Sequence, residues 1–286
     1  MAVQLVELPE IERLSPSCIR ILGGNPGKFT LQGSNTYLLG TGPHRLLIDT
    51  GEGKPSWIAA VKKTLASEKA SIVGALITHW HPDHQGGIKE LLDESPNTKI
   101  YKHHPDTGQL DITDGQEFKV DGAVLTAVHT PGHTADHMVF LLREEDAMFT
   151  GDNVLGQGTA VFEDLSIYLD SLAKMKDLFR GRVYPGHGPV ISDGPSKISE
   201  YISHRKTREE QVLRTLRSEN AAMSASDDGS RTWTPMELVK VIYKDVSENL
   251  HLPAAGGVVQ ILRKLQREGK VSVLEDRWTA IGSPAL

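Results

Sequence analysis

The sequence predicts an α/β protein in which helices cover the faces of its sheets, with a small helix-and-hairpin unit at the C-terminal end. Two observations carry the prediction. Between residues 17 and 184, short apolar runs that read as strands alternate with segments whose apolar residues recur at helical spacing. From 195 onward the pattern changes to one long helical stretch, a Ser/Asp/Gly-rich segment, two further helical stretches and two strand-like pieces.

In chain order, residues 17–50 hold the runs CIRILGGNPG, NTYLLGTGP and RLLIDTG, strand-like and punctuated by Gly, Asn and Pro, as where an antiparallel sheet begins. Helical spacing over 54–65 leads to IVGALIT at 72–78, which reads as a strand buried on both faces. A helix near 86–93 follows, then strands near 98–101, 118–129, 138–142 and 147–150, a helix near 166–179 and a strand at 182–184. Residues 195–217 read as one long helix and SENAAMSASDDGSR as a linker, which separates a domain at 1–220 from a second at 231–286. In the second, Thr234-Pro235 starts a helix, another spans roughly 254–268 with Gly269 as its stop, and KVSVL and RWTAI flank Glu275-Asp276. Helices that end in a short hairpin are the pattern of a winged helix.

With 38% hydrophobic and 24% charged residues among 286, the chain can bury a sizeable core. A net charge of -6 offers no general attraction to nucleic acid or acidic membrane, although residues 201–286, with 13 basic and 11 acidic side chains, repel polyanions less than the rest. The single cysteine, Cys18, excludes an intramolecular disulfide framework and a Cys-cluster metal site, fits a reducing compartment, and reads as a quiet strand residue. No stretch approaches the length of a transmembrane helix, and the acidic N-terminus lacks both an apolar signal core and transit character. The expected address is the cytoplasm, with no membrane partner.

The densest chemistry is Thr78-His79-Trp80-His81-Pro82-Asp83-His84, four candidate ligands within six residues, directly after the strand 72–78. On a strand-to-loop turn His79 and His81 share a direction, because strand side chains alternate, while Asp83 and His84 turn toward a neighbouring position. One loop can thus feed two adjacent metals. Neutral imidazole suits zinc and related first-row ions, and an added carboxylate widens the choice toward manganese or iron. The plain alternative, a surface loop with casual histidines, is disfavoured by so dense a spacing. Three further segments place ligand types beside Gly or Pro at strand ends, each weak alone: Thr130-Pro131-Gly132-His133-Thr134, Thr150-Gly151-Asp152-Asn153 and Tyr184-Pro185-Gly186-His187-Gly188.

In that order, HWHPDH, PGHT, GD and PGHG resemble the metal motifs of the metallo-β-lactamase superfamily. The resemblance implies an αβ/βα sandwich, two facing sheets with helices outside and a site at one edge. Position by position, it implies a first metal on His79, His81 and His133, a second on Asp83, His84 and His187, and Asp152 bridging them. It matches Asp49 in LLIDTG to the family's acidic residue behind the site, which would fix ligand orientation by hydrogen bonding. Two divalent ions, Zn2+ first and Mn2+ second, would lower the pKa of a shared water and polarise a carbonyl or phosphoryl oxygen. Asp83 is the candidate catalytic group, receiving or orienting the water's proton. His137 is weighed equally as a support for the ligands and as a structural residue, and Asn35 as part of a substrate pocket or of a turn. His129 reads as a strand residue near the site, and His103 and His104 carry no motif support.

Beyond the metals, NPGKFTLQGSNTYLLGTG, VFEDLSIYLDSL, YPGHGPVI, YISHRKTREEQ and MELVKVIYKDVSENLH resemble the lactamase-like protein family with a C-terminal winged helix, over nearly the whole chain. That branch includes an animal mitochondrial endoribonuclease acting on single strands. It also includes fungal thioesterases, atrochrysone carboxyl thioesterases among them, that release aromatic polyketides from an acyl carrier protein. β-Lactamase activity is the weaker expectation, since a secretory signal and a cysteine for the second metal are both lacking. A glyoxalase II-like thioester hydrolase is a further alternative, although that family's basic C-terminal helical region has no counterpart here. In VVQILRKLQREGK, Val258, Ile261, Leu262 and Leu265 make an apolar stripe and Arg263, Arg267 and Lys270 lie on another face. Single-stranded RNA could use that face; a solvated basic face on a small packing domain is the favoured reading. A non-enzymatic scaffold is disfavoured because every expected ligand is present. The whole-chain resemblance leans to the thioesterase, with an acyl carrier protein as partner and single-stranded RNA as the alternative.

Overall fold

The structure, a computed structural model, describes residues 5–218, 232–245, 247–248 and 251–281; the stretch 219–231, read above as a linker, lies outside the described residues. Six strands follow chain order in the first sheet: β1 (Ile11–Ser15), β2 (Cys18–Leu22), β3 (Asn35–Leu39), β4 (His44–Ile48), β5 (Ser71–Ile77) and β6 (Lys99–Lys102). The first four pair antiparallel, and β4, β5 and β6 run parallel. The second sheet holds β7 (Glu117–Val120), β8 (Ala123–His129), β9 (Met138–Leu142), β10 (Ala147–Gly151) and β11 (Val183–Pro185) in the spatial order β11-β10-β9-β8-β7. Two elements differ from the sequence reading. β1 is an additional, half-buried edge strand. The run 118–129 is a hairpin rather than one strand, because Asp121-Gly122, with Gly122 at φ 75°, turns the chain between β7 and β8.

Strand alternation builds the layers. Tyr37, Leu39, Leu46, Ile48 and Leu76 of the first sheet share one buried cluster with Leu125, Ala127, Phe140 and Phe149 of the second. The intervening Leu38, Leu47, Ala75 and Ile77 pack instead with helix residues Trp57, Ala60, Val61 and Leu91. With both faces covered, these strands read as continuous apolar runs; β5 is the partial exception, since Ser71 and Val73 at its start are exposed. The helices outside the first sheet are α1 (Pro55–Glu68) and α3 (Ile88–Glu94), preceded by the single turn α2 (Pro82–Gln85). α1 begins with proline, buries Trp57, Ala60, Val61 and Thr64 at helical spacing, and ends where Lys69 turns left-handed at φ 52°. α4 (Leu165–Asp177) buries Tyr168, Leu172 and Met175 in the same way. This is the αβ/βα sandwich that the motifs imply.

The described residues form two compact units. One takes residues up to Ala160 and Ile167–Ser199; the other takes Val161–Ser166 and the described residues from Glu200 onward. The division between these compact units falls at 199/200, within the helix α5 (Gly194–Arg217). The second unit also contains α6 (Pro235–Ile242), α7 (His251–Arg267) and the hairpin β12 (Val271–Leu274) with β13 (Arg277–Ala280). Thr234 and Glu237 close a reciprocal cap on α6: the Thr234 N–H donates to Glu237 Oε2 at 2.7 Å and the Glu237 N–H to Thr234 Oγ1 at 3.3 Å. Val258, Ile261, Leu262 and Leu265 of α7 are buried, and the backbones of Trp233 and Trp278 exchange two 2.8 Å hydrogen bonds. Among the described residues no helix is long and apolar enough to cross a membrane.

Candidate metal centre

The candidate ligands all sit just past strand ends. Thr78–His84 follows β5, the His133 loop follows β8, Asp152 follows β10 and His187 follows β11. β8, β10 and β11 point the same way, since β9 is antiparallel to both β8 and β10 while β11 is parallel to β10. Parallel neighbours thus deliver several ligands to one edge. His81 is the N-cap of α2 and Pro82 its first residue, so Asp83 and His84 lie in a helical turn and leave the direction shared by His79 and His81.

Two clusters of donors result, one of His79, His81, His133 and Asp152 and one of Asp83, His84 and His187. In the first, His79 Nε2 lies 2.9 Å from His81 Nδ1, and His133 Nε2 lies 3.2 and 3.1 Å from those two atoms. In the second, His84 Nε2 and His187 Nε2 are 3.3 Å apart, and Asp83 Oδ2 is 3.4 and 3.2 Å from them. These spacings approach the edge, about 3.3 Å, of a tetrahedron with zinc–nitrogen distances of about 2.0–2.1 Å. Asp152 faces both clusters: Oδ1 is 3.3 Å from His84 Nε2 and from His187 Nε2, and Oδ2 is 3.8 Å from His133 Nε2. Asp152 Oδ1 is buried without an aligned hydrogen-bond donor, a want that a cation would fill. The donor set fits a pair of divalent ions.

Supports behind His79 and His84 orient those two rings. His84 Nδ1–H donates to Asp49 Oδ2 at 2.7 Å, which turns Nε2 into the cluster. His79 Nδ1–H donates to Thr78 Oγ1 at 2.9 Å, and that hydroxyl donates in turn to Asp49 Oδ2 at 2.8 Å. One carboxylate therefore orients an imidazole in each cluster. Asp49 pays for this with a left-handed backbone, φ 57°, held by a further 2.8 Å bond from the Thr78 N–H to Oδ1. The motif glycines answer to the same crowding. A Cβ on Gly151 would stand 2.7 Å from His137 Nε2, and one on Gly186 2.5 Å from Asp152 Oδ1.

Electrostatics divides the two clusters. Burial, then the neighbouring His84 and His133, hold His79 well below its ordinary pKa; burial followed by His133 and His84 brings His81 down to about 4. In the other cluster burial also opposes the charged imidazole, but the carboxylates prevail: Asp152 and Asp49 raise His84, and Asp152 and Asp83 raise His187 to about 9. Asp83 and Asp152 sit well below the carboxylate range, because His187 and His84 outweigh the upward push of burial.

Residues 29–187 match the metallo-beta-lactamase superfamily, and residues 234–278 match the beta-lactamase associated winged helix domain. The chain belongs to the metallo-beta-lactamase superfamily. Among its relatives are the lactamase-like protein adaB of Aspergillus niger, 46% identical over 98% of this chain and 91% of that one, and the atrochrysone carboxyl ACP thioesterase of Aspergillus chevalieri, 46% identical over 98% and 92%. Two solved structures share the fold: a metallo-beta-lactamase family protein from Thermus thermophilus (TM-score 0.75, 22% identity, covering 94% of this chain and 100% of that one) and a beta-lactamase domain protein from Burkholderia ambifaria (0.80, 16%, 98% and 96%).

Within this superfamily site, the remaining residues singled out in the sequence have definite places. His137 is buried beside the first cluster, its ring 5.1 Å from that of His79, and the Asp152 N–H donates to its Nε2 at 3.2 Å, so that nitrogen is occupied by backbone. Asn35 is buried at the start of β3 rather than in a turn, and its Nδ2 donates to the carbonyls of Pro185 and Gly188 at 2.8 and 2.9 Å, clamping the loop that carries His187. His129 Nε2 lies 3.0 Å from the carbonyl oxygen of Ala135, outside the clusters. His103 and His104 stack on each other, likewise apart from the donors. Thr78 and Ser34 carry no ligand motif of their own in the sequence. Thr78 stands between Asp49 and His79, and Ser34 Oγ donates to Asp83 Oδ2 at 3.2 Å. Only the adjacency of Thr78 to HWHPDH could have drawn attention to it.

Proposed function

We propose that this chain hydrolyses polyketide-type acyl thioesters carried on an acyl carrier protein. The observation that carries the reading is the 46% identity, over 98% of the chain, to the atrochrysone carboxyl ACP thioesterase of Aspergillus chevalieri. The donor geometry supports one divalent ion on His79, His81 and His133, a second on Asp83, His84 and His187, and Asp152 between them. A donor set rich in imidazole favours zinc, with manganese as the alternative. When bound, such ions lower the pKa of water and polarise a thioester carbonyl. Asp83, ionised at neutral pH and partly exposed, takes a proton from the attacking water and returns it to the leaving sulfur as the C–S bond breaks. The products are a carboxylic acid and the carrier thiol.

Charge pairing in the C-terminal unit supports the same choice over RNA. Arg267 reaches both oxygens of Asp164 at 2.9 and 3.0 Å, Lys264 pairs with Glu209 at 2.7 Å, and Lys270 with Glu268 at 2.7 Å. A phosphate backbone would have to compete with these carboxylates for the cations it needs. The test offers the metal-loaded chain a carrier protein bearing aromatic acyl groups and, separately, single-stranded RNA. Acyl release that disappears in Asp83→Ala at matched metal content is expected. Asp83-dependent RNA cleavage with carrier-bound acyl groups untouched would replace this reading with the endoribonuclease.

A further inference from the structure

We propose that Ser34, locked by Asn25, is a positioning residue that commits one oxygen of Asp83 to the second metal pocket and leaves the other oxygen for proton transfer. The inference rests on the reading of Asp83 as a ligand of that pocket. Asn25 and Ser34 hold each other reciprocally: the Ser34 N–H donates to Asn25 Oδ1 at 2.9 Å, and Asn25 Nδ2 donates to Ser34 Oγ at 3.1 Å. The first bond fixes which end of the amide faces the backbone, so the second is fixed as well. Ser34 Oγ is then an acceptor toward Asn25, and its one hydrogen is left for Asp83 Oδ2, 3.2 Å away.

The loop around this pair serves its geometry. Thr30 Oγ1 donates to the Asn25 carbonyl at 2.6 Å, the Gly23 N–H donates to the Ser34 carbonyl at 2.7 Å, and the Ser34 backbone bridges that of His187. Asn25 and Ser34 are buried, while Phe29 at the loop tip is exposed. Oδ2 is also the oxygen that faces His187 Nε2 and His84 Nε2, at 3.2 and 3.4 Å; none of these contacts uses Oδ1. An aspartate's terminal torsion is broad and nearly two-fold, so its oxygens are interchangeable unless a neighbour distinguishes them. The Ser34 hydroxyl is that neighbour.

The experiment measures zinc affinity of both pockets on the full-length chain by chelator competition, without substrate. Ser34→Ala is expected to weaken the second pocket by about 10–100-fold, as loss of a ligand's hydrogen-bond partner does, and to leave the first unchanged. Ser34→Thr, which keeps the hydroxyl, should restore the affinity, and Asn25→Ala, which frees the hydroxyl to rotate, should give a smaller loss confined to the same pocket. Unchanged second-pocket affinity in Ser34→Ala would overturn the proposal. So would an equal loss in both pockets accompanied by a lower unfolding temperature, which would make the residue merely structural. Because no thioester is involved, failure of the wild type to release any acyl group would reject the proposed function and leave this result standing.

Discussion

In the pocket of His79, His81 and His133, burial keeps His79 and His81 neutral, with lone pairs turned toward a common centre. In the adjoining pocket Asp49, Asp83 and Asp152 surround His84 and His187 and raise both, so without a metal those imidazoles hold protons where a cation would sit. The first pocket is ready to accept an ion; the second must exchange protons for one. The difference shows that two adjoining donor clusters need not be one cavity used twice. It also bears on where buried supports lie: Asp49, Ser34 and the Asn35 clamp act on the carboxylate-rich side, and Thr78 extends that network to the first pocket.

The contrast breaks most completely at Asp152, which faces both pockets. Asp152→Ala should abolish hydrolysis, a larger effect than the about 10–100-fold typical of losing a ligand's supporting partner, and should lower metal content in both pockets with the circular dichroism spectrum retained. Near-normal turnover with two metals bound would reject the bridging role.

Changing pH should separate the pockets. His187, raised to about 9 from an ordinary value near 6.5, stays protonated at neutral pH in metal-stripped protein. Its pairing with Asp152 and Asp83 contributes stability that is fully present below about pH 6.5 and fades as pH rises through about 9. Metal binding must displace that proton, so second-pocket affinity should climb about tenfold per pH unit for each proton released between about 6.5 and 9. His81, at about 4, places no such demand on the first pocket above about pH 5. Zinc titrations in weak buffer, with proton release recorded, should show one pH-dependent and one nearly flat affinity. Equal slopes would dissolve the distinction.

The donors were legible in the sequence because each motif is local: HWHPDH, PGHT, GD and PGHG keep ligand and turn residue within a few positions. What holds the donors was not. Asn35 is 150 residues from the Pro185 carbonyl it binds, and Ser34 is 49 residues from Asp83; no periodicity records such a contact. GSNTY suggests a turn at Asn35, yet β3 begins there, buries the side chain and turns its amide on the loop that carries His187. The layered fold was visible because alternate faces of the strands meet a second sheet and helices, which demands apolar runs. The hairpin at Asp121-Gly122 is hidden because a two-residue turn leaves the flanking runs nearly continuous, and the continuous helix α5 gives no sign of which compact unit each of its ends joins.

The smallest effect should come from Thr78, where the two pockets touch through a hydroxyl. Thr78→Val replaces that hydroxyl with a methyl of similar size, so His79 Nδ1–H loses its acceptor inside the protein. Leaving a buried donor unpaired costs about 1–3 kcal/mol, and the ring can relieve this by turning away from the first pocket. Asp49 keeps its 2.7 Å bond to His84 and its 2.8 Å bond from the Thr78 backbone, so the second pocket retains its tautomer and charge. Affinity of the first pocket should therefore fall by about tenfold while the second is unchanged, the mirror image of Ser34→Ala. Cobalt in place of zinc gives the readout, since its absorption bands report the donors of each pocket. If Thr78→Val perturbs the second pocket as strongly as the first, Asp49 depends on the hydroxyl more than its own bond to His84 implies, and the two pockets are one coupled network.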